Sequence, residues 1–445
     1  MPLSIPTLRR CFEGAIPATI ATCSRDGTPN VSYVSEVHYV DRQHVALSFQ
    51  FFSKTRQNVL ENPRATVVVI HPDTGAQYKL AVRYLRTEES GPLFECMKAK
   101  LAGIASHAGM TGVFQLRGSD VYRVESVSEV YGTSLDAPPP PEVDVTTLRT
   151  CMARLAAAGD LAVLLDALLD VLADPIGVEH AMVLMYDPSG DRLYTVASRG
   201  YAQSGVGAEV HPGEGIIGAA AQARIPIRIS HATSEFGYGR AMREDAERRG
   251  VAGLVHEIPF PGLPESQSQI AVPILAGERL LGVLFAESGA TGRFGYDEED
   301  GFMVLAGHVG AVAALLEEEP PAREDAPPAQ AAASPRGSPL RVRRYAENDS
   351  IFVGEDYLIK GVAGAILWRL LRAHVDEGRN DHTNRELRLD PAIRLPELSE
   401  NLEARLILLA RRLEERCPTL RIEKTGRGRF RFHVLRPVTL DEIPR

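Results

Sequence analysis

The chain has 445 residues, of which 44% are hydrophobic, so it is long enough for about three domains with real cores. Its formal net charge of −9 excludes a protein that coats nucleic acid along its whole length. The charge is uneven, because residues 341–434 contain 19 Lys and Arg against 15 Asp and Glu, a local net charge of +4 that leaves −13 for the rest. This distribution favours a nucleic-acid contact confined to the C-terminal part.

Cysteine usage and the N-terminus indicate the compartment. The five cysteines form no CxxC or Cys/His metal-binding pattern: Cys11, Cys23, Cys96, Cys151 and Cys417. Their odd number and wide spacing disfavour a disulfide framework, so reduced thiols are expected. The N-terminus MPLSIPTLRRCF lacks the apolar core of a signal peptide. The sequence has no run of about 18 or more apolar residues, so no membrane-spanning helix is expected. We therefore expect a cytoplasmic protein without a metal site.

Two linkers divide the chain. The first holds four consecutive prolines, Pro138 to Pro141, which favour an extended spacer. The second, EEEPPAREDAPPAQAAASPRGSPL, is of low complexity without hydrophobic periodicity, which predicts disorder. The predicted organisation is three domains and two linkers: domains at residues 1–135, 145–318 and 341–445, linkers at 136–144 and 319–340.

The first piece consists mainly of short apolar and β-branched runs separated by turn signals. Predicted strands cover residues 18–22, 31–40, 45–48, 65–70, 79–86, 112–117 and 121–127. Predicted helices cover residues 56–62 and 92–101. Many short strands with few helices are typical of a β-barrel.

The pattern IATCSRDGTPNVSYVSEVHYVDRQHVALSF, followed by FFSKTRQNVLENPRATV, resembles the pyridoxamine 5'-phosphate oxidase-like, FMN-binding split barrels over most of this piece. In that family, a segment of this kind follows a strand and holds the flavin phosphate. In this chain the corresponding residues are SKTRQN, residues 53–58, followed by Asn62-Pro63. The resemblance implies FMN contacts from Ser53, Lys54, Thr55, Arg56 and Asn58. Hydroxyls, cations and helix N-terminal amides at a strand-to-helix junction suit an anion.

Other interpretations of this barrel stay open. SKTRQN also fits the capped start of a surface helix, and relatives of the family bind haem, deazaflavin or nothing, so haem is the second choice of cofactor. The vitamin B6 oxidases' C-terminal substrate signature is not evident, which argues against that activity. The family's flavin site lies between two subunits, so the resemblance also implies a homodimer.

In the middle piece, amphipathic helical periodicity runs from Leu148 up to Pro175. The phrases GEGIIGAAAQARIPIRI, SQIAVPILAGERLLGVLFAES and DEEDGFMVLAGHVGAVAALL resemble a GAF domain over the whole piece. The resemblance implies a small-molecule pocket between a sheet and its covering helices. Its candidate residues are on the central loops: His231, Phe236, Tyr238, Arg240 and Met242. No cysteine lies between Cys151 and Cys417, which argues against a thioether-linked bilin, and an empty, purely dimerising GAF domain is the alternative.

The last piece is the most informative. Leu398, Leu402, Leu406, Leu409 and Leu413 recur every three or four residues and predict an amphipathic helix that ends at Pro418. Its polar residues Asn401, Arg405 and Arg412 share another face, which we expect to be solvent-exposed. A hairpin with the turn Thr425 to Gly428 follows and carries many cations.

The order of elements, ending in LRIEKTGRGRFRF, resembles the winged-helix output domain of response-regulator transcription factors between residues 350 and 434. Residues 361–377 resemble its first helix, and Thr383-x-x-Glu386 is a capping box that opens a short second helix. The resemblance implies that the third helix reads bases with Asn401, Arg405 and Arg412. It also implies that the hairpin contacts phosphates with Lys424, Arg427 and Arg429. A small interaction domain with a solvated basic hairpin is the alternative.

The expected fold class is multidomain α+β: a split β-barrel, a GAF α/β domain and a C-terminal winged helix. The function expected from it is a cytoplasmic transcription regulator that couples a flavin or small-molecule signal to duplex DNA binding. A disordered second linker fits regulation by dimer state or by masking of the DNA surface better than mechanical coupling. The rivals are an FMN-dependent oxidoreductase with a regulatory GAF domain, for which the sequence shows no catalytic group, and a protein-interaction scaffold.

Overall fold

The computed structural model describes residues 3–14, 16–34, 36–49, 54–107, 116–132, 134–136, 144–230, 258–318, 337–393 and 402–444. Within these ranges the strands form four sheets of seven, six, four and three strands. Helices pack against the sheets in three successive parts of the chain, so the predicted multidomain α+β class is confirmed.

The N-terminal unit is an antiparallel sheet with the order β2-β1-β5-β6-β7-β4-β3. Its strands are β1 Ala18–Cys23, β2 Pro29–Val34, β3 Val37–Tyr39, β4 His44–Phe49, β5 Arg64–Ile70, β6 Gln77–Glu88 and β7 Gly118–Val130. Its helices are a 3-10 helix Ile5–Phe12, α1 Lys54–Glu61 and α2 Pro92–His107. Alternate residues of β1 are buried, so Ile20 joins Val67 and Leu80 in the core.

Two of the predicted strands in this unit differ from the described ones. The run 31–40 forms two strands rather than one, because β2 pairs with β1 while β3 pairs with β4, on opposite edges of the sheet. The predicted strand 112–117 lies mostly outside the described residues.

The middle unit is an antiparallel sheet with the order β10-β9-β8-β13-β12-β11. Its strands are β8 His180–Asp187, β9 Arg192–Arg199, β10 Glu209–Val210, β11 Ile227–Ile229, β12 Ser268–Ala276 and β13 Arg279–Ser288. Its helices are α3 Val145–Ala156, α4 Leu161–Ala173, α5 Gly215–Ala223 and α6 Tyr296–Glu318. The predicted helical periodicity is divided between α3 and α4, because the Asp160 carboxylate accepts the Val163 amide at 2.9 Å and caps a new helix.

Helix α6 is the one described helix with the length and apolar composition of a membrane span, with a mean hydropathy of 1.4 over an 18-residue window within residues 296–317. Its residues Phe302, Leu305 and Val309 are nevertheless buried, and the helix packs on β12 and α3. The apolar residues of α6 therefore form part of the protein core.

The C-terminal unit has two small sheets, ordered β16-β15-β14-β20 and β17-β19-β18. Its strands are β14 Leu340–Tyr345, β15 Ser350–Val353, β16 Asp356–Ile359, β17 Asp381–Thr383, β18 Leu420–Gly426, β19 Arg429–Val434 and β20 Val438–Ile443. Its helices are α7 Gly361–Glu377, α8 Asn384–Leu389 and α9 Leu402–Arg416. The predicted cap is confirmed, since the Thr383 hydroxyl accepts the Glu386 amide at 3.2 Å.

A buried ionic contact joins the first two units. Arg228 on β11 pairs with Glu13 of the first unit and with Glu299 on α6, the latter at 2.9 Å, and its side chain is 2% exposed. Arg228 also donates to the Phe294 carbonyl at 3.1 Å. Burial acts to raise the pKa of Glu13, but the nearby cations, Arg228 first, outweigh it and lower that pKa.

Tyr296, the first residue of α6, extends this contact into the barrel. Its hydroxyl accepts the Tyr39 amide of β3 at 3.1 Å. Three cations lie over its ring, with Arg228, Arg9 and Lys100 at 4.4, 5.0 and 5.3 Å from the centroid. The barrel and the start of α6 are therefore held together by a specific polar cluster.

Candidate functional site

The segment expected to bind a phosphate begins α1, directly after β4 along the chain. Ser53 lies outside the described residues. Lys54 is exposed in the first turn of α1, where helix amides favour an anion. The neighbouring Thr55 hydroxyl accepts the Asn30 side-chain amide at 2.9 Å. Lys54 and the start of α1 therefore suit an incoming anion.

Arg56 and Asn58 have structural partners instead. The Arg56 guanidinium binds the Asp120 carboxylate of β7, with Nη1 2.7 Å from Oδ2, and donates to the Thr87 hydroxyl at 3.0 Å. It also lies 3.8 Å from the centroid of the Phe49 ring. Asn58 is fully buried and donates to the Thr22 hydroxyl at 3.1 Å. Arg56 is thus neutralised by Asp120, and Asn58 holds α1 against β1.

The predicted small-molecule pocket of the middle unit is on loops that the structure does not describe: His231, Phe236, Tyr238, Arg240 and Met242. The described chain resumes at residue 258 and leads to a buried polar cluster around Glu287, which is 2% exposed. Glu287 accepts the Leu263 amide at 2.9 Å and the Gln269 side-chain amide at 3.4 Å, and burial raises its pKa. Sequence reasoning missed this carboxyl, although an acid ending the apolar run LLGVLFA was a usable signal.

The predicted base-reading helix corresponds to α9, and its exposed face was predicted wrongly. Arg405 is 7% exposed, and its guanidinium is 2.7 Å from the Asp187 carboxylate at the end of β8. It also lies 4.1 Å from the centroid of the Tyr194 ring on β9. Both partners belong to the middle unit, so α9 packs against that unit rather than facing solvent.

Arg412 is buried too, for another reason. It is 4% exposed, and its Nε donates to the Leu358 carbonyl of β16 at 3.0 Å. Burial, with the neighbouring Arg416, lowers its pKa. Its expected exposure was therefore wrong, because it joins α9 to its own unit. The third predicted reader, Asn401, lies outside the described residues.

The hairpin cations also approach the middle unit. The Lys424 ammonium is 2.9 Å from the Asp160 carboxylate and 3.1 Å from that of Glu403. Arg427 donates to the Leu316 carbonyl of α6 at 3.3 Å. Arg411, which sequence reasoning did not select, pairs with Asp166 on α4 and donates to the Val196 carbonyl at 3.0 Å.

A cavity of about 240 Å³ lies at this contact, between α4, α9 and the hairpin. Its apolar lining includes Leu406, Ile407 and Phe430, and its charged lining includes Arg429 and Asp166. We call the whole contact between the C-terminal unit and the middle unit the seam. Two predicted phosphate contacts, Lys424 and Arg429, line the seam cavity, so the predicted DNA surface and the middle unit share it.

Comparison with known proteins identifies the first two units. Residues 5–124 match the family model described as pyridoxamine 5'-phosphate oxidase, and residues 158–314 match the model of the GAF domain. The chain therefore contains a split-barrel domain of the pyridoxamine 5'-phosphate oxidase type and a GAF domain. The C-terminal unit lies beyond both matched ranges.

Individual relatives are more distant. An uncharacterized protein of Methanocaldococcus jannaschii is 34% identical over 73 residues, which are 16% of this chain and 49% of that protein. The chain thus spans about half the length of that curated relative. The GAF domain of an Acinetobacter phosphoenolpyruvate-protein phosphotransferase is 20% identical, over 38% of this chain and 92% of that chain, with a TM-score of 0.30. An FMN-binding protein from Syntrophomonas wolfei subsp. wolfei is 15% identical, over 28% of this chain and 85% of that chain, with a TM-score of 0.24.

Proposed function

We propose that this chain is a cytoplasmic sensory transcription regulator. Its split barrel and GAF domain receive a flavin or small-molecule signal, and its C-terminal unit binds duplex DNA. The observation that carries the proposal is that one chain joins a split barrel and a GAF domain to a basic C-terminal unit. Residues 341–434 of that unit have a net charge of +4, whereas the whole chain has a net charge of −9. A ligand-dependent domain has a regulatory use only where an output domain reads its state.

The order of elements in the C-terminal unit supports the DNA-binding part. Three leading strands precede helix α7, the short helix α8, the amphipathic helix α9 and the hairpin β18–β19. A helix followed by a basic hairpin suits a duplex, since the helix fits a major groove and the hairpin reaches flanking phosphates. Of the expected contacts, Arg405, Lys424, Arg427 and Arg429 lie together along the seam.

Replacing Arg427 and Arg429 together with alanine should weaken duplex binding by a similar factor on all sequences. It should lower the slope of log affinity against log salt concentration by roughly one unit per lost phosphate contact. Fluorescence anisotropy of the full chain with labelled duplexes at several salt concentrations measures both effects. Arg83→Ala combined with Arg86→Ala, which removes two cations from strand β6 of the barrel, is the matched control.

Selection of random duplexes by the full chain provides the companion measurement. Enrichment of a defined site is the expected result. If no sequence is enriched and weak binding is unchanged by the two arginine substitutions, the C-terminal unit does not bind DNA.

The barrel is proposed to hold FMN, a cofactor that supplies reversible redox chemistry and a yellow chromophore when bound. The match to the pyridoxamine 5'-phosphate oxidase family supports flavin binding in general. The residues at the start of α1 fit a phosphate in part: Lys54 offers an exposed ammonium and Thr55 a hydroxyl. Arg56 fits less well, because a phosphate would have to share it with Asp120. In this proposal Lys54 binds the phosphate and Arg56 positions α1 against β7.

Lys54→Ala should weaken FMN binding about tenfold, the effect of one lost charge-assisted hydrogen bond of about 1.4 kcal/mol. Titration of the full chain with FMN, followed by flavin fluorescence, measures the dissociation constant. Lys98→Ala removes a cation that is 60% exposed on α2 and should leave the affinity unchanged. A wild-type chain that stays colourless after incubation with excess FMN would show that the barrel does not bind this flavin.

A further inference from the structure

Four acids of the GAF domain lie opposite cations of the C-terminal unit. Asp187 contacts Arg405, Asp166 contacts Arg411, Asp160 contacts Lys424 and Glu209 contacts Lys360. We call these four acids the acidic GAF face: Asp160, Asp166, Asp187 and Glu209. They come from helix α4, the end of strand β8 and strand β10, so the fold gathers them from three separate elements.

The central contact of the seam is deeply buried. The Asp187 side chain is fully buried and that of Arg405 is 8% exposed, at a separation of 2.7 Å. Arg405 also stacks on the Tyr194 ring of β9. Apolar residues continue the contact, because one hydrophobic core includes Leu165 of α4 and Leu408 of α9. A methyl group at Gly207 would lie 3.7 Å from the Leu408 side chain, so the GAF backbone closely approaches the helix.

This arrangement excludes duplex DNA from α9. A recognition helix must insert its polar face into a groove about 12 Å wide, with the hairpin free to reach phosphates. Here that face is covered by α4 and β9, and the hairpin cation Lys424 pairs with a GAF carboxylate. Carboxylates and phosphates make similar charge-assisted hydrogen bonds with Arg and Lys. The GAF acids therefore present to this surface the chemistry that a DNA backbone would present.

We propose that the acidic GAF face is a docking surface for the DNA-binding surface of the same chain, and that duplex DNA competes with it. This inference rests on the proposed function and adds its regulation. In the closed chain, carboxylates of the GAF face take the positions of phosphates. DNA binding then requires the C-terminal unit to leave the seam, and any GAF ligand that favours the separated state increases DNA affinity.

The seam is built to be reversible. The Asp166 side chain is 63% exposed, and Asp160 and Lys424 are 22% and 44% exposed, so solvent screens these pairs. The buried Arg405–Asp187 pair loses hydration on both sides, which offsets most of its attraction. The cavity of about 240 Å³ leaves part of the contact unfilled, which forfeits dispersion contacts. These features favour a closed state that an equilibrium shift can open.

Two sets of substitutions on the GAF side test the proposal. Asp187→Asn keeps Oδ1, which accepts the Ser189 and Gly190 amides, and replaces Oδ2 by a donor. That Oδ2 faces Arg405 and also accepts from Arg192 of the GAF domain at 3.3 Å, so a second variant that leaves Asp187 intact is needed. The second variant combines Asp160→Asn with Asp166→Asn, and asparagine still caps α4. The matched control is Asp170→Asn on the same helix, because Asp170 pairs with Arg199 inside the GAF domain. The control makes the same charge change as each Asp→Asn substitution without touching the seam.

The affinity of the full chain for a mixed-sequence duplex is measured by fluorescence anisotropy at two salt concentrations. Asp187→Asn should raise the affinity about tenfold, and the double variant about threefold to tenfold, relative to Asp170→Asn. Each gain should disappear when Arg427→Ala and Arg429→Ala are added, because the released surface is the one that binds.

The outcomes separate the two proposals. If the wild type binds DNA through Arg427 and Arg429, but both seam variants bind no better than Asp170→Asn, the docking surface is wrong and the DNA-binding function stands. If no variant binds duplex DNA, the proposed function is wrong, and so is the proposed competition between DNA and the acidic GAF face. If Asp187→Asn lowers the thermal unfolding temperature, the exposed double variant alone decides.

Discussion

Replacing Arg228 with methionine should lower the free energy of unfolding by about 3–5 kcal/mol, the usual effect of removing one partner from a buried ion pair. The Glu13 side chain, 4% exposed, would lose its main counter-charge, and Glu299 its partner at 2.9 Å. The barrel and the GAF domain meet at this cluster, so the substitution should also loosen their contact.

Urea unfolding followed by circular dichroism measures the loss. Arg279→Met is the matched control, because Arg279 forms an ion pair with Glu317 in which the side chains are 43% and 28% exposed. Its removal should change stability by less than about 1 kcal/mol. Adding Glu13→Gln to Arg228→Met should recover part of the loss, because the unpaired buried carboxylate is then gone. Equal effects of the Arg228 and Arg279 substitutions would show that the cluster is not buried.

Two glycines of helix α6 should respond to alanine in opposite directions. A methyl group at Gly310 would collide with the Leu275 carbonyl of β12, whose carbon would lie at 2.7 Å. Gly310→Ala should therefore push α6 away from the sheet and destabilise the chain by about 3 kcal/mol. Gly307 is exposed on the same helix, and a methyl group there would meet nothing within 4 Å, so Gly307→Ala should stabilise the helix by about 0.5–1 kcal/mol.

Thermal unfolding of the two variants tests the packing of α6 on β12 directly, since helix propensity alone predicts a gain at both positions. A lower unfolding temperature for Gly310→Ala and a higher one for Gly307→Ala is the expected pair. A gain at both positions would contradict the close approach of α6 to Leu275.

Patterns that depend on neighbours along the chain were predictable. The bounds of α7 agree with the resemblance of residues 361–377 to the first helix of a winged-helix domain, and the Thr383 cap follows from a four-residue motif. Strands that depend on distant partners were missed. β20 at residues 438–443 pairs in parallel with β14, about a hundred residues earlier, and β17 is defined by its pairing with β19. Their sequences are too short and too polar to identify a strand alone.

The candidate site shows the same limit. Periodicity predicted the helix α9 correctly but not its exposed face, because Arg405 is buried against Asp187 of another domain. A sequence pattern along one helix carries no information about such a partner. Arg228 was also missed, although a single arginine between Ile227 and Ile229 is a recognisable sign of a buried charge.

The proposed competition between the GAF domain and DNA is tested most directly by closing the seam covalently. Lys360 is 3.0 Å from Glu209 and is not among the proposed DNA contacts, so a zero-length carbodiimide crosslink there would lock the seam. Lys360→Arg keeps the charge but cannot form the amide, which makes it the control for the same treatment. Both proteins also carry Lys424→Arg, because the Lys424 ammonium lies 2.9 Å from the Asp160 carboxylate and would otherwise be crosslinked across the seam too. The crosslinked chain is identified by a peptide that joins residues 209 and 360. We predict that it binds duplex DNA at least about tenfold more weakly than the treated Lys360→Arg variant, a difference in binding free energy of about 1.4 kcal/mol. Equal DNA affinities of the crosslinked chain and the treated Lys360→Arg variant would contradict the proposed competition between the GAF domain and DNA.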